Sequence, residues 1–222
     1  MQALKSKLAA SPLLARAVPF AIFLGLTSLQ GPAGPEWGCW IYFFKCLVGG
    51  WLTWLTWGMV SEMRWEFSLR ALGIGVLVCI LWVGLDPWYP KMGSKSEGWN
   101  PFAIFSHSAA LAWFFVAVRI LGSTIVVPPL EEVFYRSFIY RYLTDKDFTN
   151  VPLAVIRAMP FWVTSVVFGF AHSQWLAGIL CGALYQWLVC RTGRLGEAMV
   201  AHAVTNCLLG IYVVYKGAWQ FW

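Results

Sequence analysis

The chain has 222 residues, of which 59% are of hydrophobic types and only 12% are charged. A soluble domain carries about twice that charged share and could not hide so much apolar surface, which excludes a soluble Rossmann enzyme, a disordered chain and a disulfide-stapled secreted module. The formal net charge of +6 comes from basic residues scattered in ones and twos, without the basic and aromatic clustering of a nucleic-acid groove, so the expected electrostatic partner is anionic lipid.

The first predicted element is an apolar run to Leu29 behind Lys5, Lys7 and Arg16. It has the layout of a signal peptide, but no small-x-small cleavage site follows, so it reads as a retained anchor helix. A Gly/Pro turn at 31–35 ends it. The next run covers 40–60 and is interrupted only by Lys45. A mixed-charge link with Glu62, Arg64, Glu66 and Arg70 leads to a third run at 71–85. Residues 86–101 form a polar loop with Lys91 and Lys95. A fourth run, about 102–127, is expected to stop at Pro128-Pro129, where a new helix begins, because proline fits a first turn. That new segment, 130–143, is unusually polar, and 145–150 breaks it. Runs at about 152–171, 174–190 and 196–215 complete the chain.

The expected fold is therefore all-α: a polytopic membrane protein of about eight transmembrane or membrane-embedded helices, forming a single integral membrane domain over 1–222. Several runs are shorter than the roughly 20 residues of a straight span. Fifteen Trp, eight Tyr and sixteen Phe suit membrane interfaces. Cys39, Cys46, Cys79, Cys181, Cys190 and Cys207 form no CxxC pair and read as small buried hydrophobes. Lys5, Lys7 and Arg16 predict a cytoplasmic N-terminus, with Arg64 and Arg70 on the same side. Eight full spans would put Lys146, Arg157, Arg191 and Arg194 outside, against that rule. A re-entrant 130–143 would bring them inside.

Ionisable groups within apolar runs are costly and mark function by default. The first set is Glu131, Glu132 and Arg136 in PPLEEVFYRSF. Glu132 and Arg136 are an i, i+4 pair in the favourable order. Glu131 points about 100° away, free to face a cavity, and both carboxylates are expected in a first turn where the helix dipole favours them. The second is His172, four residues after Phe168. The third is His202 and Asn206, on one face of the last run. A bland reading makes these an interfacial salt bridge, an interfacial histidine and an interhelical hydrogen bond. If the helices on either side of 145–150 both span, Glu131 and His172 share a depth, and one water-filled cavity can hold all four groups. A carboxylate and a neutral imidazole can deprotonate a water, and a second imidazole and an amide can donate to an oxyanion. That is the chemistry of hydrolysis.

EEVFYR, FGFAH and HAVTN, in that order on successive apolar helices, resemble the EExxxR, FxxxH and HxxxN/D motifs of the CPBP family. This family comprises the CAAX-prenyl endopeptidases and bacteriocin-processing enzymes, also called Abi proteins. The resemblance covers about residues 125–210, the motif-bearing core. It implies an intramembrane glutamate protease in which Glu131 activates water with His172, His202 and Asn206 form the oxyanion hole, and Glu132 and Arg136 hold the first motif in shape. It implies no cofactor or resident metal, a protein or peptide substrate, and cleavage near a substrate C-terminus that can carry a prenyl group. Two rivals stand beside it. One is a zinc protease using Glu131, His172 and His202. The other is a non-catalytic binding or immunity protein that keeps the fold. Arg119 reads as a packing or snorkelling residue, His107 as interfacial, and Glu197 as a dipole-suited carboxylate opening the last helix.

Overall fold

The computed structural model describes residues 2–92 and 98–222. The centre of the polar loop, including Lys95, lies outside the described residues. Every helix and turn element is consistent with an all-α protein, and no strand occurs among the described residues. The helices are α1 (Gln2–Ala9), α2 (Pro12–Thr27), α3 (Pro35–Thr56), α4 (Leu69–Gly84), the single turn α5 (Pro101–Ile104), α6 (Ala109–Thr144), α7 (Ala158–Phe170), α8 (Trp175–Thr192) and α9 (Leu195–Lys216). Of these, α6 and α9 are long and apolar enough to cross a membrane.

Local chemistry sets the boundaries. Ser11, Ser68 and Ser108 each accept a hydrogen bond from a first-turn N–H of α2, α4 and α6, satisfying a donor that a helix start leaves orphaned. Pro12, Pro35 and Pro101 occupy first turns, where the missing N–H is not needed. The single N-terminal anchor expected from sequence is thus two helices, split at Ser11.

The largest correction concerns Pro128-Pro129. The fourth and fifth predicted runs are one 36-residue helix, α6. A straight helix of that length would reach about 54 Å, well past a hydrocarbon core of about 30 Å. The prolines do not end α6 because a wide π turn, Gly122–Val126, precedes them. There the Val127 N–H bonds to Gly122 O rather than to Ser123 O. The extra residue makes room for proline rings that would otherwise clash with the preceding turn. Residues 130–143 are therefore the second half of a long helix, with another π stretch at Val133–Ile139. Glu131 and Glu132 sit mid-helix, so no free helix N-terminus stabilises them. The run expected from 152 becomes helical only at Ala158.

Consecutive long helices alternate in direction, which gives the bundle two distinct ends. Thr27, Gln30, Trp82, Trp99, His172 and Gln220 meet at one end around a cavity. At the other end the link between α3 and α4 is clasped by a buried ion network. Arg16 donates to Glu62 Oε1 and Oε2 at 2.8 and 3.0 Å, and Arg141 donates to Oε1 at 2.6 Å. The Ser137 hydroxyl joins them, bonding Glu62 and accepting from both arginines. Arg16, expected as a lipid-facing anchor charge, is 6% exposed and belongs to this network. Glu197 is likewise buried, and accepts from the Ser68 hydroxyl at 2.8 Å, tying the same link to α9.

Close backbone approach holds the bundle where side chains are small, as expected between apolar helices. A Cβ at Gly178 on α8 would lie 2.9 Å from Gly169 Cα on α7. A Cβ at Gly75 on α4 would lie 2.6 Å from Ala201 O on α9.

Burial pushes the Glu62 carboxyl up, but the Ser137 hydrogen bond and the Arg16 charge outweigh it and hold it at about 2. A carboxyl lowered from its ordinary 4.5 contributes stability above that value and loses it as the pH falls towards 2. The span is worth about 3 kcal/mol. We expect the melting temperature in detergent to fall between pH 4.5 and 2. Glu62→Gln should melt lower at pH 7 and flatten that acid-dependent loss. An unchanged acid profile in the variant would remove Glu62 from this role.

Candidate active site

The polar centre of α6 starts from Glu132, which is 0% exposed. Its Oε2 lies 3.2 Å from Arg136 Nε, an ion contact whose angle falls short of a hydrogen bond. Its Oε1 lies 2.9 Å from His202 Nδ1 on α9. The i, i+4 pair read from the sequence is present, and a third partner joins it. Arg136, also 0% exposed, donates to Gly182 O on α8 at 3.3 Å. Its guanidinium carbon lies 4.4 Å from the Phe168 ring centroid. That cation–π contact offsets part of the burial of a charge whose Nη1 has no partner among the described residues.

Glu131, one position earlier, turns away from this pair and lines a cavity of about 540 Å³. Its Oε2 accepts no hydrogen bond from any described residue. His172 lies just past the end of α7, and Trp82 packs edge-on against its ring with centroids 5.4 Å apart. His172 Nδ1 is 2.8 Å from Phe168 O. A carbonyl only accepts, so Nδ1 carries a proton, and a ring with that single proton has its lone pair on Nε2.

His202 is oriented twice over. Glu132 accepts from its Nδ1, and the Tyr185 ring stacks on it with centroids 5.3 Å apart. Tyr185 is held in turn by its hydroxyl, which donates to Thr205 Oγ1 at 2.7 Å. Asn206 Nδ2 donates to Ser123 O at 2.8 Å. This acceptor is a product of the π turn. Its α-helical donor, Val127 N–H, is used by Gly122 O, and the next residue is proline with no N–H. Asn206 completes that orphaned carbonyl and keeps a second N–H.

Glu131, His172, His202 and Asn206 all line the one cavity, together with Trp82, Phe168 and Tyr185. The sequence reading gave little weight to two further wall residues, Lys45 and Arg119. Lys45 was legible as the one charge inside the run at 40–60, and Arg119 as the charge in the fourth run. Neither sits in a recognisable motif. Among the described residues, no three of His, Cys, Asp or Glu converge at metal-ligand spacing, so the Glu131, His172 and His202 donor set of the zinc reading is not assembled.

Residues 112–208 match the family model for Rce1-like proteins, described as type II CAAX prenyl endopeptidases. The matched model is one of the CPBP family. The matched segment carries all three motifs and runs from the first turn of α6 to within α9. The family is one of membrane-embedded endopeptidases acting on protein or peptide substrates. No curated protein and no solved structure matches the chain.

Removing either member of the buried pair strands the other charge, at a cost of about 3–5 kcal/mol. Arg136→Ala and Glu132→Ala should both melt well below the parent protein in detergent. Glu131→Gln should melt close to it, since Glu131 supports no ion pair. Parent-like melting of the first two variants would show that the pair is not structural.

Proposed function

We propose that the chain is an intramembrane endopeptidase of the metal-independent glutamate type that cuts a peptide bond near the C-terminus of a membrane-associated substrate. One observation carries this reading: an unpaired carboxylate oxygen and a histidine whose Nε2 is left basic share a cavity with a second histidine and an amide. In this mechanism Glu131 and His172 Nε2 hold a water. Glu131 takes a proton as the water oxygen bonds to the scissile carbonyl carbon. The carbonyl oxygen becomes an oxyanion, and Asn206 Nδ2 and His202 Nε2 donate to it. Glu131 then returns its proton to the nitrogen as the C–N bond breaks, releasing an acid and an amine.

Glu132 gives His202 its role. A neutral ring donating from Nδ1 has no N–H on Nε2. A donor role for Nε2 therefore requires the ring to carry a proton on both nitrogens. Glu132 and Arg136 together are neutral, and Glu132 fixes the direction in which His202 Nε2 faces the cavity. The rival binding or immunity role needs none of this arrangement, and the zinc rival needs a donor set that is not assembled.

We further propose that the seven long helices α2–α4 and α6–α9 cross or enter the membrane as one integral domain over 1–222, with its catalytic core at about 125–210 and its N-terminus cytoplasmic. Because 102–127 and 130–143 lie on one helix, the alternation puts Lys5, Lys7, Arg64, Arg70, Lys146, Arg157, Arg191 and Arg194 on a single side. That satisfies the positive-inside rule without a re-entrant segment. The cavity mouth then faces away from the cytoplasm, and the substrate is a membrane-anchored polypeptide presented there. The matched family's description favours a second reading, a prenylated CAAX end, and a cytoplasmic substrate of that kind requires the opposite orientation.

Two measurements test these statements. Glu131→Gln should lower peptidase turnover roughly a hundredfold to ten-thousandfold, as expected for loss of a general base, while melting like the parent. Full activity in Glu131→Gln would exclude it as the base. For orientation, Ser173→Cys in intact cells should react with a membrane-impermeant maleimide, while Asp147→Cys should react only after lysis. The reverse pattern would invert the topology.

A further inference from the structure

Beyond α9 the chain turns back over the cavity. Gly217 closes α9 in the left-handed conformation, at φ 62°, and the Ala218 N–H bonds to Val213 O. Glycine permits that reversal without strain. Trp219–Phe221 then form a single tight turn, and Gln220, Phe221 and Trp222 line the cavity that contains Glu131 and His172. The segment is attached on both sides of the mouth. On one side Gln174, two residues after His172, donates from Nε2 to Gln220 O at 3.2 Å. On the other the Trp222 ring meets Trp99, with centroids 5.7 Å apart, and Trp99 in turn lies against Tyr42 of α3 and Phe115 of α6.

The attachment is close but light. Gly98 has φ 75°, and a Cβ there would overlap Trp219 O, so the segment seats only where glycine stands. Trp219 also packs on Phe102 and Trp222, with centroids 5.9 and 5.4 Å away. Among the described residues no ion pair holds the segment, and Gln174 gives it its one side-chain hydrogen bond. Trp219, Phe221 and Trp222 are half-buried and Gln220 is exposed. A single turn held this way can open without disturbing the helices beneath it, whereas Glu131, His202 and Asn206 sit on long helices. A substrate that enters between the α7–α8 turn and the wall of α3 and α6 crosses the line that this segment occupies.

We propose that residues 218–222 form a strap closed across the mouth of the cavity, which holds the protein in a resting state and releases to admit substrate. The strap is argued from its attachments alone; that the event it gates is peptide cleavage rests on the protease reading. Opening is a shift between two states, and substrate favours the open one to the extent that its own side chains replace the contacts of Phe221 and Trp222. Leu209 reports which state is present. It lines the cavity, is 8% exposed, and lies on α9 between Asn206 and Tyr212. The Tyr212 ring packs on Phe221 with centroids 6.2 Å apart, so Leu209 lies beneath the strap.

Two rates test the strap on the full chain in detergent. Opening is read as the rate at which N-ethylmaleimide labels Leu209→Cys, followed by mass spectrometry of the peptide that carries it. Turnover is read as cleavage of a pool of synthetic peptides of randomised sequence. Trp222→Ala removes the grip on Trp99, and Gly98→Ala displaces Trp219 while leaving every cavity-lining residue native. Each should speed labelling roughly tenfold, the worth of one aromatic contact, and should raise kcat/KM by a similar factor. Joining Gln174→Cys to Gln220→Cys with a short bis-methanethiosulfonate bridge should slow cleavage roughly tenfold or more, with recovery on reduction; the parent protein treated alike controls for its native thiols. Unchanged labelling in both variants would overturn the strap. Cleavage that stays level or falls while labelling rises would overturn it too, by making the segment a fixed wall, as would a bridged protein that cuts at the parent rate. The two readings fail separately. Faster labelling with no cleavage by any of these proteins, the parent included, keeps the strap and removes the protease. Cleavage indifferent to variants and bridge keeps the protease and removes the strap.

Discussion

The Glu132 carboxylate has to serve a guanidinium and an imidazole at once from a fully buried position. One oxygen faces Arg136 a turn along α6, and the other faces His202 on α9. A charge so placed is tolerated only where its partners are fixed, and much of the bundle is arranged to fix them. Phe168 and Gly182 hold the guanidinium, and Tyr185 and Thr205 hold the imidazole. Four helices are thereby locked to one carboxylate. The neighbouring carboxylate, Glu131, makes no ion pair among the described residues, and the contrast between adjacent glutamates is the chemical asymmetry on which a hydrolytic site can be built.

The paired prolines act through the backbone. In a soluble helix, Pro128-Pro129 would be read as a stop, because two carbonyls lose their donors. Here the π turn redistributes the bonds and leaves Ser123 O facing α9, where Asn206 donates to it. The defect in one helix thus positions a side chain of another. π turns recur at functional sites for this reason: the residue added to the helix shifts the register of everything after it and frees polar backbone for side chains.

The motif residues were legible because each breaks the hydropathy of its run. Polar groups at spacings of four mark a face, and three such faces on successive helices suggested a shared cavity. The prolines mislead: 130–143 reads as a fresh helix with its own dipole, whereas the residues that decide the matter, Gly122 to Val126, look like ordinary membrane sequence. Long-range partners were also hidden. Nothing local to Arg16 signals that Glu62 and Ser137 will surround it, since these residues lie 46 and 121 positions away. A lone basic residue at the start of an apolar run reads equally as lipid-facing, and only tertiary contact separates the two. Lys45 and Arg119 were visible as charges in apolar runs, but the Tyr42 ring they share belongs to α3 alone, and their proximity depends on how α3 packs on α6.

The charged interior therefore divides by what completes each charge. At the end away from the cavity, Arg16 and Arg141 close on Glu62, a network that pins the link between α3 and α4. In the middle, Arg136 and His202 close on Glu132. Around the cavity Glu131, Lys45 and Arg119 find no ion-pair partner among the described residues, and Lys45 donates to the Thr27 hydroxyl. In a medium that penalises every unpaired charge, the first two sets account for their own presence by holding helices together. The third does not, and a fold that satisfies ions elsewhere retains it at a cost in stability. For Glu131 the economical explanation is a partner that arrives from outside, the water it activates in the proposed reaction.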